Sequence, residues 1–448
     1  MMLQVARGGW MAVALLALCV TAARGDDARP NIVIVFADDL GYGDLGCYGH
    51  PTIRTPRLDR MAAEGLLFTS FYSAAPVCTP SRAALLTGRY PIRSGMAGNE
   101  RRVLFPDSTT GIPADEVTLA EALADSGYAT ACVGKWHLGH LPEYLPTRNG
   151  FERYFGIPYS NDMRGRRWSP LPLVRDEETV ETEPDQAQLT VRYTEEAIEF
   201  IRQSAAAERP FFLYLPHTMP HVPLFAAEPF AGQSPRGLYG DVVETIDWGM
   251  GQILDTLAEL GLDEQTVVFF TSDNGPWLVR NLHGGSAGLL RGGKGSTWEG
   301  GMRVPGVARW PGTIAPGGRT TQLATTMDLY STCLALAGVE VPTDRTVDGA
   351  DLSALLRGNA QLPERPFFYY RGAELFAVRQ GPWKLHVKTQ AGYGQPEPEV
   401  HDPPLLFHLD HDPSERFNVA KQYTEVVEQL LAVIDAHRTE LVPGETQY

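Results

Sequence analysis

The chain has 448 residues, 43% of them apolar and 10% aromatic, enough to bury a large core in one domain beside a smaller one. A formal net charge of −16 argues against nonspecific nucleic-acid binding, and five cysteines are too few for a disulfide framework in so long a chain. No fixed-period repeat, low-complexity tract or Asn-x-Ser/Thr sequon occurs, so neither a solenoid nor N-glycosylation enters the account.

The N-terminus carries Arg7, an apolar run from Trp10 to Val20, and the small residues of TAARG before two aspartates. That is the layout of a secretory signal peptide over residues 1–25, cleaved near Gly25. The run is too short to span a bilayer, so the mature chain is expected to be secreted or periplasmic with no membrane span. Cys19 leaves with the leader. Cys132, in ATACVG, and Cys333, in LYSTCLALAG, lie in apolar surroundings and read as buried and inert.

The first strand follows at once. NIVIVFADDLG is a continuous apolar pattern from Ile32 to Ala37 that stops at Asp38 and Asp39. PVCTPSRAALLTGR, residues 76–89, joins a turn to an Ala/Leu helix and sets Cys78 at or just before the helix N-terminus. A thiol there is either electrostatically activated or a buried structural cysteine. LAEALADSG reads as a helix, and ATACVGKWHLG as a strand ending in Lys135 and His137. The stretch from Met163 to Gln188 is a variable one to which no element is assigned. Its Arg164, Arg166 and Arg167 either line a pocket for a polyanionic chain or belong to a solvated loop.

PFFLYLPHTMPHVP is a strand ending in His217 and His221, GMGQILDTLAELG a helix, and TVVFFTSDNGP a strand from Thr266 to Thr271 ending in Asp273 and Asn274. This alternation predicts an α/β fold, a large sheet covered by helices on both faces, in which ligands bind beyond the carboxyl ends of the strands. Past Pro363, short segments such as PFFYYR, LFAVRQ, PWKLHVK and PLLFHL read as a small antiparallel sheet, closed by the helical TEVVEQLLAVIDAHRTEL. The expected division is 26–362 for the catalytic part and 363–448 for the small C-terminal one. His401 reads as structural, with a reach into the pocket as the alternative.

Either acidic pair alone would suit a turn or a helix cap. Two pairs at equivalent strand ends, with cations from two more, point to a site. Three carboxylates and an amide oxygen form a hard donor set that suits Ca²⁺ or Mg²⁺ better than zinc. Lys135 and Lys294, the latter in LLRGGKGSTWEGG, are costly together unless an anion joins them. A divalent metal beside Lys, Arg and His is what transfer of a sulfuryl or phosphoryl group needs.

CTPSRAALLTGR resembles the signature of the type I sulfatases, together with PNIVIVFADDLGYGDLGCYGHP, GKWHLG, GFERYFGIPYS, TSDNGP, GLLRGGKGSTWEGGMRVP and PPLLFHLDHDPSERFN. The likeness is greatest to the branch holding arylsulfatase A and N-acetylgalactosamine-6-sulfatase. It implies an alkaline-phosphatase-like α/β fold and hydrolysis of sulfate esters, of sulfated carbohydrates in the first instance. It also implies that a maturation enzyme oxidises Cys78 to Cα-formylglycine. Asp38, Asp39, Asp273 and Asn274, with the modified Cys78, match the ligands of one Ca²⁺, and Arg82 matches the arginine that holds the formylglycine hydrate. Lys135, His137, His221 and Lys294 match the residues around the sulfate, His221 being preferred to His217 for its HxP context, and Ser160 matches a further polar contact.

The residue types suit this chemistry. One hydroxyl of an aldehyde hydrate attacks sulfur, His221 or Lys294 protonates the departing oxygen, and His137 deprotonates the second hydroxyl so that sulfate is expelled. A phosphomonoesterase or phosphonate monoester hydrolase of the same superfamily is the nearest alternative. A catalytically silent binder of sulfated glycans is the other, and it leaves Cys78, Arg82, His137 and Lys294 without a purpose.

Overall fold

The computed structural model describes residues 29–165, 167–358 and 361–448; the signal-peptide reading and Arg166 fall outside them. In chain order the strands of the large sheet are β1 (Asn31–Ala37), β2 (Leu66–Tyr72), β3 (Ala129–Val133), β4 (Arg153–Gly156), β5 (Pro172–Arg175), β6 (Glu178–Thr182), β7 (Phe211–Pro216), β8 (Thr266–Ser272), β9 (Arg303–Arg309), β10 (Gly318–Thr320) and β11 (Ala324–Thr325). They are ordered β10-β2-β9-β8-β1-β7-β3-β4-β5-β6, with β11 also on β2. The centre, β8-β1-β7-β3-β4, is parallel, and the sheet is mixed because β9 and β5 run against their neighbours.

The helices are α1 (Pro56–Ala63), α2 (Cys78–Thr87), α3 (Leu119–Asp125), α4 (Leu189–Ala206), α5 (Leu238–Glu259), α6 (Glu299–Met302), α7 (Thr326–Ala337), α8 (Ser353–Leu356) and α9 (Thr424–Glu440). Strand periodicity assigns them to layers. Ile32, Ile34 and Phe36 of β1 pack with residues of α2, α3 and α7 on one face, while Val33, Val35 and Ala37 pack with α1, α4 and α5 on the other. Both faces being covered explains why β1 and β8 read as continuous apolar runs rather than alternating ones.

A second sheet, β12 (Phe367–Arg371), β13 (Glu374–Gln380), β14 (Trp383–Thr389) and β15 (Glu399–His408), is antiparallel throughout. It packs with α9 and with Tyr72, Ala84, Met302 and Met327 of the larger layer. β15 begins five residues before the PLLFHL segment that marks it in the sequence.

The variable stretch differs from expectation. Pro172 to Thr182 forms a β-hairpin, β5–β6, that extends the sheet edge and turns through Asp176 at φ 55°. Its charged, half-exposed side chains hide the strand pattern. Helix α5 likewise starts eleven residues before the GMGQILDTLAELG segment.

Candidate active site

Five adjacent parallel strands end at one edge, and each is followed by polar residues. Asp38 and Asp39 follow β1, Lys135 and His137 follow β3, Ser160 follows β4, His217 and His221 follow β7, and Asp273 and Asn274 follow β8. The register Ala37↔Ser272 sets Asp38 beside Asp273, and Asp273 N donates to Ala37 O at 3.0 Å. The backbone leaves regular geometry here. Asp39 has φ 68° and His137 φ 63°, left-handed conformations of the kind that concentrate at functional sites.

Cys78 is the first residue of α2, so the helix N-terminus faces this edge. Lys294 arrives from the loop between β8 and β9, held by Lys294 N donating to Pro276 O (2.9 Å) and Gly275 N to Gly301 O (3.0 Å). Gly275 permits that approach, since a Cβ there would lie 1.8 Å from Gly300 O.

The side chains form one buried network. Lys135 Nζ donates to Asp38 Oδ2 at 2.5 Å and to Ser160 Oγ at 3.2 Å. Lys294 Nζ lies 2.7 Å from Asp39 Oδ1 and 3.6 Å from Cys78 Sγ, while Cys78 Sγ is 3.5 Å from Asp38 Oδ1. Arg82 Nη2 donates to Asp273 Oδ2 at 2.9 Å, lies 3.5 Å from Asp38, and Nη1 donates to Lys135 O at 2.7 Å. Asn274 Nδ2 donates to Asp39 Oδ1 at 2.8 Å, leaving Asn274 Oδ1 buried with no hydrogen-bond partner among the described residues.

His221 is fixed through Nδ1, which lies 2.6 Å from Val222 O and 3.1 Å from Asn161 Oδ1. Both atoms accept, so Nδ1 carries the proton and Nε2 faces Asp39 at 3.8 Å. His137 is the reverse. Its Nε2 donates to Leu104 O at 2.9 Å, and Nδ1 is buried without a partner among the described residues.

Burial and charge act against each other throughout. Burial opposes ionisation of Asp38, but Lys135, His221, Arg82 and Lys294 hold its carboxyl well below the usual range. Asp39 and Asp273 are raised, chiefly by burial and the neighbouring Asp38, Asp273 to about 7. Burial, then the nearby lysines, keeps His137 and His221 neutral. Lys294 stays charged against its own burial because Asp39 raises it.

Cys78 corrects one expectation. The helix N-terminus does not activate its thiol, because burial raises the thiol's pKa well above normal despite Lys135 and Lys294.

Asp38, Asp39, Cys78 and His221 present potential metal-ligating atoms within 4.8 Å of one another, and Asp273 stands outside that group with its oxygens on Arg82 and on Asp39 N. Three carboxylates against three buried cations leave the network formally neutral. Asn274 Oδ1, an orphaned hard acceptor beside Asp39, suits a divalent cation. Such a cation would leave excess positive charge, which a tetrahedral anion balances.

Above the network is a cavity of about 430 Å³, with Cys78, His137, Ser160, His221 and Lys294 among its lining residues. Other linings were not singled out in the sequence. Trp277 and Tyr393 pair at 5.2 Å, Phe105 and Trp168 stack at 5.8 Å, and Arg102 packs against Tyr393. Trp277, two residues after DNG, was open to detection by its place at a strand end. Tyr393 and Arg102 carry no local signal.

His217 is buried and does not line the cavity, and His401 bonds Thr389 Oγ1 at 2.8 Å within the second sheet. Among the arginines of the variable stretch, Arg164 pairs with Glu183, whereas Arg167 lines the cavity mouth and lies over Trp168.

An α/β sheet that collects carboxylates, an amide and lysines beneath such a cavity defines an enzyme of the class that cleaves esters of tetrahedral anions. Comparison with known proteins narrows this: residues 30–339 match the sulfatase family model and residues 362–448 that of the C-terminal region of aryl-sulfatase, and the chain belongs to the sulfatase family. It is 43% identical to N-acetylgalactosamine-6-sulfatase of Canis lupus familiaris, covering 98% of this chain and 91% of the relative. It is 44% identical to arylsulfatase A of Homo sapiens, covering 90% and 86%. Among solved structures, the PsFucS1 sulfatase from Pseudoalteromonas sp. superposes with a TM-score of 0.82 at 30% identity, over 92% of this chain and 90% of that one. The protein is a sulfuric ester hydrolase.

Proposed function

We propose that this sulfatase removes sulfate from sulfated sugars, using Cα-formylglycine made from Cys78 by a maturation enzyme and one Ca²⁺, and that residues 1–25 export it as a secreted or periplasmic protein. The sugar reading is supported by the relatives named for N-acetylgalactosamine 6-sulfate and by the aromatic walls of the cavity, since ring faces suit pyranose faces. Residues 26–362 form the catalytic part in this reading and 363–448 the smaller one. No helix among the described residues is long and apolar enough to cross a membrane.

The observation that carries the reading is the setting of Cys78. Its Sγ lies between Asp38 and Lys294 at 3.5 and 3.6 Å, under a cavity and at a helix N-terminus, yet burial disfavours the thiolate a cysteine enzyme would need. A formylglycine hydrate at this position offers two hydroxyls, one to attack sulfur and one whose deprotonation afterwards expels sulfate, which a thiol cannot do. Asp38, Asp39, Asp273 and Asn274 would hold the calcium ion, which when bound supplies positive charge to the sulfate oxygens.

The remaining work belongs to the chain. Lys135 and Lys294 clamp the sulfate, with Ser160 beside Lys135, and Arg82 holds Asp273 and Asp38 in place. Lys294, held charged by Asp39, donates the proton to the leaving oxygen, because neutral His221 has its one proton on Nδ1 and offers only a lone pair at Nε2. His137, protonated on Nε2 by its bond to Leu104 O, keeps the Nδ1 lone pair free to accept a proton in the sulfate-releasing step. Peptide mass spectrometry of active protein tests the proposal. Aldehyde at residue 78 is expected, and a fully active preparation with only thiol there would refute it.

A further inference from the structure

Arg102 is a cation without a counterion among the described residues. Its guanidinium lies over Tyr393 with Cζ 5.2 Å from the ring centroid, lines the cavity, and has Nη1 buried with no hydrogen-bond partner among the described residues. It sits against the backbone beside Lys294, since a Cβ on Gly295 would come within 3.1 Å of Nη1.

Arg371 approaches the same glycine from the second sheet, Nε donating to Gly295 O at 3.0 Å, and it too has no ion pair among the described residues. Burial and then Arg102 lower Arg371 to about 10, Glu374 offsetting this only in part, so each guanidinium lies in the other's field. Of the other cations lining the cavity, Arg101 pairs with Asp107 at 2.7 Å and Lys294 with Asp39, whereas Arg167, exposed at the mouth, lies over Trp168. The carboxylates lining the cavity, Glu100 and Asp162, are exposed at its mouth and pair with nothing among the described residues.

A partly buried, unpaired guanidinium is costly unless something completes it. Its place on the cavity wall, outside the sulfate network and backed by an aromatic ring, makes that something part of the substrate. We infer that Arg102 binds a second anionic group of the substrate, so that the preferred substrate is a sulfated sugar bearing a further sulfate or carboxylate rather than a singly charged sulfate ester. The inference rests on the sulfated-sugar reading and narrows it. Tyr393 holds the guanidinium from behind, and Trp277, paired with Tyr393 and with Lys294 Nζ 4.5 Å from its ring centroid, bridges the sulfate network to Arg102.

The test measures binding in a Cys78→Ala background, where no turnover occurs, by calorimetry with three ligands: N-acetylgalactosamine 6-sulfate, its 4,6-disulfate, and the 6-sulfate linked to a uronic acid. At least one doubly charged ligand is expected to bind on the order of ten- to a hundredfold more tightly than the monosulfate, the scale of a hydrogen-bonded charge. Which of the two gains tells sulfate from carboxylate. Adding Arg102→Gln should erase that gap, and Arg102→Lys should restore part of it. Equal affinity for all three ligands, or a uniform loss in Arg102→Gln, overturns the inference. Sulfate release from the same sugars by the matured wild-type enzyme is scored separately: its absence condemns the sulfated-sugar reading, whereas the binding gap judges Arg102.

Discussion

At the scale of the residue, His137 offers the sharpest division between binding and chemistry. Its hydrogen bond to Leu104 O fixes the tautomer and leaves Nδ1 as an unengaged acceptor in the cavity. If that nitrogen is the base for sulfate release, His137→Ala should give a burst of about one equivalent of alcohol per site, then stall, with sulfate retained covalently on the protein. The slow phase should lie on the order of 10²–10⁴ below wild type, the usual value of a general base. Rapid-quench kinetics with intact-protein mass spectrometry reads both quantities, and a burst-free curve with unsulfated protein would leave His137 as a binding residue. Asp38, Asp39, Asp273 and Asn274 were legible because an apolar run stops abruptly at each pair. The choice of His221 over His217 was harder, because both follow β7 and the turn between them decides which reaches Asp39. Arg102 was illegible, since its partner Tyr393 comes from the distant loop between β14 and β15.

At the scale of the element, the second sheet is tied to the first by buried charge. Glu299, opening α6, accepts from Tyr72 Oη at 2.5 Å, Tyr369 Oη at 2.8 Å and Lys384 Nζ at 2.9 Å, and Lys384 reaches Glu415 at 3.0 Å. Burial opposes the charge on Glu299, but Lys384, Arg303 and Arg379 hold its carboxyl far below the ordinary value. A carboxyl so depressed contributes stability that is complete above its unfolded pKa, roughly 4.3, and is lost as pH falls toward the folded one. Lys384→Met removes the compensating charge and should cost roughly 3–5 kcal/mol at neutral pH, the deficit shrinking as acid protonates Glu299. Denaturant unfolding across that pH range measures it, and a variant as stable as wild type at neutral pH would contradict the coupling. Central strands were easy to read because burial on both faces makes them uniformly apolar. Hairpin β5–β6 was not, because an edge strand keeps charged side chains and looks like a loop.

At the scale of the whole molecule, function depends on topology that brings distant segments to one sheet edge. Local patterns announced the strand ends, but the cavity walls come from residues 102, 103, 105, 168, 277 and 393, which no local pattern connects. The calcium reading has a global consequence: a ligand that binds only the folded state stabilises it, by about 2.7 kcal/mol at a hundredfold excess over Kd. Calcium should therefore raise the unfolding temperature of wild type and not of Asp39→Asn; an unchanged temperature, with no metal found by elemental analysis, would exclude the site. The central claim is that this edge cleaves sulfate esters. It is tested most directly by comparing kcat/KM of the matured enzyme for 4-nitrophenyl sulfate, 4-nitrophenyl phosphate and 4-nitrophenyl phenylphosphonate. The expected result is clear preference for the sulfate, and faster turnover of the phosphate or phosphonate would contradict it.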